Sequence, residues 1–508
     1  MQSPILGSAY VARSVNAADN RMINLFPEII PEGGSTPAFL NRAPGLRLEV
    51  AVGTGPIRGM WTFNSYLYVA SGNTLYKVDT QYNVTALGTL ANDGPVSMTD
   101  DGTYLGVACN GPTFYYNSVT DTFGQVTDPD FPGALTISYL NGYFVFIEPN
   151  SQKVWTAELL DPTSVDPLAF ASAEGSPDGL VSSITDHSEV WLFGTNSVEV
   201  WYNSGAVDFP LQRIQGAFNE IGCAATFSVA KLDNGLFWLG ADARGRGVVY
   251  RSNGYTGVRI STHAVEWQIQ QYGDISDAIA YTYQQDGHAF YVLTFPTANA
   301  TWVYDVATQA WHERASYTNG DFGRHRSNCQ VAFNNEVLVG DYQNGNLYAF
   351  DLEVYADFNR TQKWLRSWRA LPTGQINDRK RTAQHSLQLD AETGVGLPGI
   401  TEVPGRIYLT PLIIVGTFNI VDEVQIVNSI DDYVEPQVML RWSDDGGHTW
   451  SNEHWRSMGP VGGYGTRVIW RRLGMTTKLR DRVYEVSGTD PVKIAITGAI
   501  LQVSGTNA

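Results

Sequence analysis

The residues best suited to chemistry cluster in the last third of the chain. Ser443, Asp445, Gly447 and Trp450 stand at the spacing Ser-x-Asp-x-Gly-x-x-Trp, the pattern of an Asp box. In that motif a short carboxylate accepts hydrogen bonds from its own turn while the indole packs beneath, which pins a hairpin. Sialidase propellers carry several such boxes, so sialoside cleavage is one chemistry to weigh. Here a single box lies outside the repeated part of the chain, and that part is too poor in Arg to assign a three-arginine clamp for a sugar carboxylate. The four residues are read as a structural hairpin.

Paired acids at Asp100/Asp101, Asp128/Asp130 and Asp431/Asp432 could supply the acid and base of glycoside hydrolysis. Asp is ordinary in β-turns, however, and spacing along a chain says nothing about separation across a fold. His448 and His454 lack a third ligand at metal spacing. The Gly-rich run 240–247 has neither the Lys-Ser/Thr of a phosphate loop nor the acids of a calcium loop. No Gly-x-Ser-x-Gly nucleophile elbow occurs. Catalytic, metal-binding and cofactor-binding residues are therefore assigned to none, and the chain reads as a non-enzyme.

A second constellation is basic and aromatic. Lys363, Arg366 and Arg369, then Arg379, Lys380 and Arg381, then Arg467, Arg471, Arg472, Lys478, Arg480 and Arg482 interleave with Trp364, Trp368 and Trp470. Basic residues among aromatics can bind nucleic acid; Arg and Trp are equally enriched at the centres of protein interfaces. Residues 361–508 carry 16 Lys and Arg against 15 Asp and Glu, a near-neutral balance that weakens the nucleic-acid reading. Arg366, Trp368, Arg379, Lys380, Arg381, Arg471 and Arg472 are thus candidate assembly-interface residues, with simple solvation and DNA binding as alternatives.

These residues need a scaffold, and the composition says which. At 508 residues the chain exceeds one ordinary core, so two or three domains are expected. Fifty Gly, 26 Tyr and 14 Trp point to all-β structure with many turns. No apolar run approaches the length that spans a bilayer, and the first 13 residues lack the pattern of a secretory signal. Cys109, Cys223 and Cys329 are too far apart to read as a disulfide framework or a zinc site; buried thiols in a reducing cytosol are expected.

The stretch 189–205 shows the repeated unit. Two β-branched and aromatic runs, 190–193 and 198–202, flank a small polar turn, the signature of a hairpin. Similar cores recur at 66–79, 103–116, 142–159, 236–250, 288–311 and 336–351, most of them preceded by a further short strand. A period of roughly 40–50 residues is that of four-stranded propeller blades. No apolar pattern of period 3.6 persists over a helical length. The expected fold is all-β: a propeller of six or seven blades over 46–360, an N-terminal arm at 1–45, and a C-terminal sandwich or barrel at 361–508. Charge marks the same boundary, since residues 1–360 carry 17 Lys and Arg against 36 Asp and Glu. The arm is expected to dock on the C-terminal domain or on a neighbouring subunit.

Several strings are familiar. Ile23-Asn24-Leu25-Phe26-Pro27-Glu28, Pro44-Gly45-Leu46, the run 191–201, Phe237-Trp238-Leu239-Gly240 and Val339-Gly340-Asp341-Tyr342 resemble the packaged-DNA stabilisation proteins, or tail hubs, of short-tailed bacteriophages. So do Ser261-Thr262-His263-Ala264 and Gly287-His288 with Thr294-Phe295-Pro296. The resemblance implies a structural virion protein forming a ring of six below the portal and its adaptor ring. Such a nozzle holds the packaged genome, carries tail fibres, spikes or a plug, and lets DNA pass through its lumen without specific binding or direct membrane insertion. It would be made in the host bacterial cytoplasm. An acidic wall suits that passage, because phosphates stick through Lys and Arg; the Arg/Trp-rich C-terminal domain would make the ring and adaptor contacts. The competing reading is a carbohydrate-binding or glycan-cleaving propeller.

Overall fold

The computed structural model describes residues 1–11, 19–30, 34, 36–173, 175–207, 209–242, 245–371, 381–395, 435–476 and 482–505. They fall into two compact units: one of Arg47–Ala315 with Gly323–Phe350, the other of Met1–Leu46, Ser316–Phe322 and Asp351–Ala508.

The first unit is a seven-bladed β-propeller. Its blades begin with the inner strands Ile57–Phe63, Ser97–Asp100, Ile137–Leu140, Leu180–Asp186, Ala230–Leu232, Ile279–Gln285 and Ser327–Phe333, each followed by antiparallel neighbours stepping outward. Blade four shows the local logic. Glu189–Gly194 and Val198–Asn203 pair with Val190 opposite Trp201 and Leu192 opposite Glu199. Such cross-strand pairs stabilise a hairpin only weakly, so each blade also buries its faces against its neighbours. Phe63, Tyr68 and Leu75 pack on Leu105, Val107 and Tyr116 between blades one and two, and Trp191 and Phe193 pack on Leu236 and Trp238 between blades four and five. Inner hairpins turn through residues that tolerate positive φ, including Asn64-Ser65, His187-Ser188, Asp233-Asn234 and Asn334-Asn335.

Closure of the ring is by strand exchange. Blade seven takes its outermost strand from the beginning of the unit, residues 47–51 of Gly45–Ala51. Val52 then donates its amide to Gly345 O at 2.7 Å and packs with Leu338, Leu347 and Ala349. The approach is too close for a side chain: a Cβ on Gly345 would lie 2.4 Å from the carbonyl oxygens of Val52 and Gly53. One feature departs from the sequence expectation. An eight-residue α-helix, His263–Gln270, links blades five and six, with the Thr262 hydroxyl accepting from Val265 N. It is too short to leave a periodic signature; its cap and the burial of Val265 and Ile269 beside Val249 hold it.

The second unit is a β-sandwich. One sheet runs Leu25–Ile29, Ala38–Arg42, Ala495–Gly505, Thr382–Ala391, Val468–Arg471; the other contains Met22–Ile23, Trp364–Arg369, Val483–Gly488, Gln437–Ser443, His454–Ser457. Residues 1–45 thus supply strands to both sheets. Leu25, Leu40, Trp364, Trp368, Leu387, Trp470, Tyr484 and Ile496 share a single core. The alternating apolar stretches 405–414 and 422–427 lie outside the described residues. Among the described residues no helix is long and apolar enough to cross a membrane.

Candidate functional site

The Asp-box hairpin consumes its own polar groups. Asp445 Oδ1 accepts from Ser443 Oγ at 2.6 Å and from Thr449 N at 2.8 Å, and Oδ2 accepts from Thr449 Oγ1 at 2.6 Å. Those bonds, led by that from Ser443, hold the Asp445 carboxyl well below the ordinary range. Gly447 N donates to Ser443 Oγ at 2.8 Å, and Gly446 and Gly447 take φ of 78° and 101°. The neighbouring acid is bound too: Arg482 donates to both oxygens of Asp444, at 2.6 and 2.7 Å. Arg441 lies 4.7 Å over the Trp450 ring while bonding Glu485 at 2.6 Å. His454 stacks on Trp442, with no bond to His448.

The basic constellation divides into buried and exposed residues, which corrects part of the sequence reading. Arg366 and Trp368 are not surface residues; both are fully buried in the sandwich. Arg366 Nε donates to Ile5 O at 2.7 Å, and its other nitrogens donate to the carbonyls of Arg21 and Gly7. Trp368 Nε1 donates to Ser3 Oγ at 2.8 Å. Both therefore fasten the N-terminal segments, and burial alone lowers the Arg366 guanidinium to about 9. The sequence pattern could not separate them from surface Arg, because a buried cation satisfied by main-chain carbonyls has no partner residue type to find. Arg381, Arg471 and Arg472 are exposed. Arg471 ends an edge strand, and Arg472 follows at φ 60° with its amide on His385 O. Arg379 and Lys380 lie outside the described residues.

The acid pairs are turn caps. Asp100 accepts from Trp61 Nε1 and Gly102 N, Asp101 from the amides of Thr103 and Tyr104, and Asp128 from those of Asp130 and Val165. Asp431 and Asp432 lie outside the described residues. Among the described residues no group of three His, Cys, Asp or Glu could hold a metal. Cys109 and Cys223 are buried; Cys329 is half-buried as a residue, and burial pushes its thiol up to about 12.

Two features escaped the motif search. Blades six and seven bury a polar network: His288 Nδ1 bonds Asp305 at 2.8 Å, Arg314 bonds Tyr283 OH at 2.8 Å, His325 Nδ1 bonds Ser327 Oγ at 2.6 Å, and Arg326 bonds Asp341 at 2.9 Å. Only the dense string Arg324-His325-Arg326 hints at it. The second is how unevenly charge is spread. The propeller unit holds 13 Lys and Arg against 29 Asp and Glu, so it carries −16 of the chain's −18. Between Arg58 and Arg213, only Lys77 and Lys153 face 17 acids. Many of those acids sit at turns, where they cap amides and keep their charge at the surface, as Asp79 does with Gln81 and Asn83.

A propeller of strongly acidic surface, coupled in one chain to a β-sandwich with exposed Arg, defines the class: an all-β scaffold whose described acids and bases serve turns, cores and surfaces. Comparison with known proteins places it further. The family model described as the β-propeller of bacteriophage P22 Gp10 matches residues 1–355, and that described as the Gp10 β-sandwich matches residues 405–504. The chain belongs to this bacteriophage P22 Gp10 family, that of the tail hubs of short-tailed phages. The curated "Tail hub protein gp10" of Salmonella phage P22 is 22% identical over 291 residues, covering 53% of this chain and 59% of that protein. Among solved structures, a chain of the mitotic checkpoint complex aligns at 13% identity with a TM-score of 0.41, covering 64% of this chain and 98% of its own. The extracellular domain of a one-component system from B. thetaiotaomicron aligns at 10% identity with a TM-score of 0.42, covering 66% and 47%.

Proposed function

We propose that this protein is the hub, or nozzle, of a short-tailed phage tail: six copies form a ring that continues the portal–adaptor channel, retains the packaged genome and anchors fibres or spikes. The observation that carries this reading is the family match over residues 1–355, the propeller region. The charge distribution supports it physically. Duplex DNA binds proteins by exchanging condensed counterions for Lys and Arg. Between Arg58 and Arg213 the chain carries 2 cations against 17 acids, so a channel wall built from this region would offer little such exchange and let DNA slide. Exposed Arg381, Arg471 and Arg472 would meet the neighbouring subunit or the adaptor ring, with Arg379 and Lys380 as further candidates. The protein would act without catalysis or cofactor, as a component of the virion made in the host cytoplasm.

The test adds purified protein to DNA-filled heads that lack it. Nuclease resistance rising with the protein bound at the portal vertex is expected. Heads that remain nuclease-sensitive with the protein bound would reject retention, and failure to bind at the vertex would reject the hub position.

A further inference from the structure

The turns joining the third and fourth strands of blades two, three and four open on one face of the propeller, because each blade repeats the same strand directions. All three turns expose apolar side chains. Val119 is 79% exposed, Leu159 and Leu160 are 57% and 55% exposed, and Val207 is fully exposed. Leu160 is also held on left-handed backbone, at φ 62°. Most described residues there are Gly, Asn, Asp or Ser, which tolerate it; Leu160 is the only aliphatic one. Its amide donates to Gly142 O at 2.8 Å, and Asp161 N donates to Glu158 O at 3.1 Å, which fixes the turn. Strain kept in order to expose two leucines gains the subunit nothing, and such strain collects at functional sites. The surroundings are acidic. From Ser97 to Gln212, across these blades, 15 Asp and Glu face Lys153 alone, and Lys153 begins its strand, at the end away from the turn.

One side of the sandwich is the chemical complement. His454–Ser457 and Val468–Arg471 are the last described strands of the two sheets. Trp470 Nε1 donates to His454 O at 2.7 Å and Arg456 Nε to Ile469 O at 3.0 Å, fastening the two edges together. Residues 453–476 hold Arg456, Arg467, Arg471 and Arg472, all exposed, against Glu453 alone. Trp455 and Tyr464 are 43% and 78% exposed. Trp, Tyr and Arg are the residues that dominate the energetics of protein interfaces.

We propose that the sandwich edge of one copy docks on the turn face of blades two to four of a second copy. Trp455 and Tyr464 cover Val119, Leu159, Leu160 and Val207, while the arginines meet the surrounding acids. Charge complementarity selects a second copy as the occupant: one chain carries both surfaces, with four Arg to one acid on one and 15 acids to one Lys on the other. Like surfaces repel, which disfavours a two-fold pairing of either with itself. The contact is therefore heterologous, the kind that repeats around a closed ring. The inference rests on the hub reading and adds which surfaces meet.

Cross-linking tests the pairing. Burial raises the thiols of Cys109, Cys223 and Cys329, the last two to about 11 and about 12, so cysteines introduced at the surface react first. Full-length T120C and V461C, which keep every anchor, would be treated with a short bismaleimide, separately and mixed. Each would be treated free in solution and bound to DNA-filled heads that lack the protein. Expected is a cross-linked dimer from the mixture and none from either variant alone. L160N supplies the second readout. Asn suits left-handed backbone, so its melting temperature should equal or exceed that of wild type. Its self-association, by sedimentation equilibrium or by copies bound per head, should fall at least tenfold. A dimer from T120C alone, no cross-link from the mixture in either setting, or L160N association equal to wild type would each overturn the proposal. Copies that bind the portal vertex without the cross-link would leave the hub reading standing, whereas protein that does not bind there fails that reading.

Discussion

Arg366 is the sharpest mechanical claim in the sandwich. Its guanidinium is fully buried, and its acceptors are three main-chain carbonyls, of Ile5, Gly7 and Arg21. Among the described residues no carboxylate pairs with it. Replacement by Met keeps the volume but strands the carbonyls of Ile5 and Gly7, each worth about 1–3 kcal/mol when buried and unpaired, while Arg21 O keeps the Ser367 amide at 3.0 Å. Removing a buried cation returns part of its desolvation cost, which runs to several kcal/mol. The balance is a loss on the order of 3 kcal/mol, concentrated where the first eleven residues meet the sandwich. Urea unfolding followed by near-ultraviolet circular dichroism reads this directly, since Trp364, Trp368 and Trp470 are all buried in the same core. Limited proteolysis adds location: cleavage near Ile5 should quicken in R366M before cleavage elsewhere. An unchanged urea midpoint with unchanged protection of the N-terminal segment would refute the clamp.

Three further outcomes are expected. Burial, aided by Arg314, holds neutral His312 and His325 at a pKa of about 3, with Arg326 also facing His325 and Asp305 facing His312. The unfolded chain takes up these protons near pH 6.5 and the folded propeller does not, so stability falls as pH drops from 6.5 towards 3, by about 1.4 kcal/mol per pH unit for each histidine. Melting scans across that window should show the slope, and H312Q and H325Q should each flatten it. Gly345→Val places a side chain against Val52 O and Gly53 O and should cost on the order of 3 kcal/mol by opening the ring closure; a melting temperature equal to wild type would contradict the closure described. Replacing exposed Arg381, Arg471 and Arg472 with Ala should leave subunit stability within about 0.5 kcal/mol while impairing ring assembly in sedimentation velocity, and normal rings would remove them from the interface.

How much was legible in the sequence depends on whether the signal was local. The hairpin around 194–197 and the blade repeat could be read because strand propensity and turn chemistry sit within a few residues of each other. Exchange of strand 47–51 into blade seven could not, because it joins segments some 300 residues apart and is marked only by glycines that permit close approach. Arg366 shows the same limit at a site: its type and neighbours look like a surface cluster, and only the fold brings Ile5 and Arg21 around it. The Asp box was read from sequence alone because all its partners lie within seven residues.

The genome content of particles assembled in the absence of this protein tests the hub assignment most directly. Heads that package DNA and then lose it to nuclease are the predicted result. Heads that keep their DNA and instead fail to attach to cells would contradict retention and move the protein to an adhesive role.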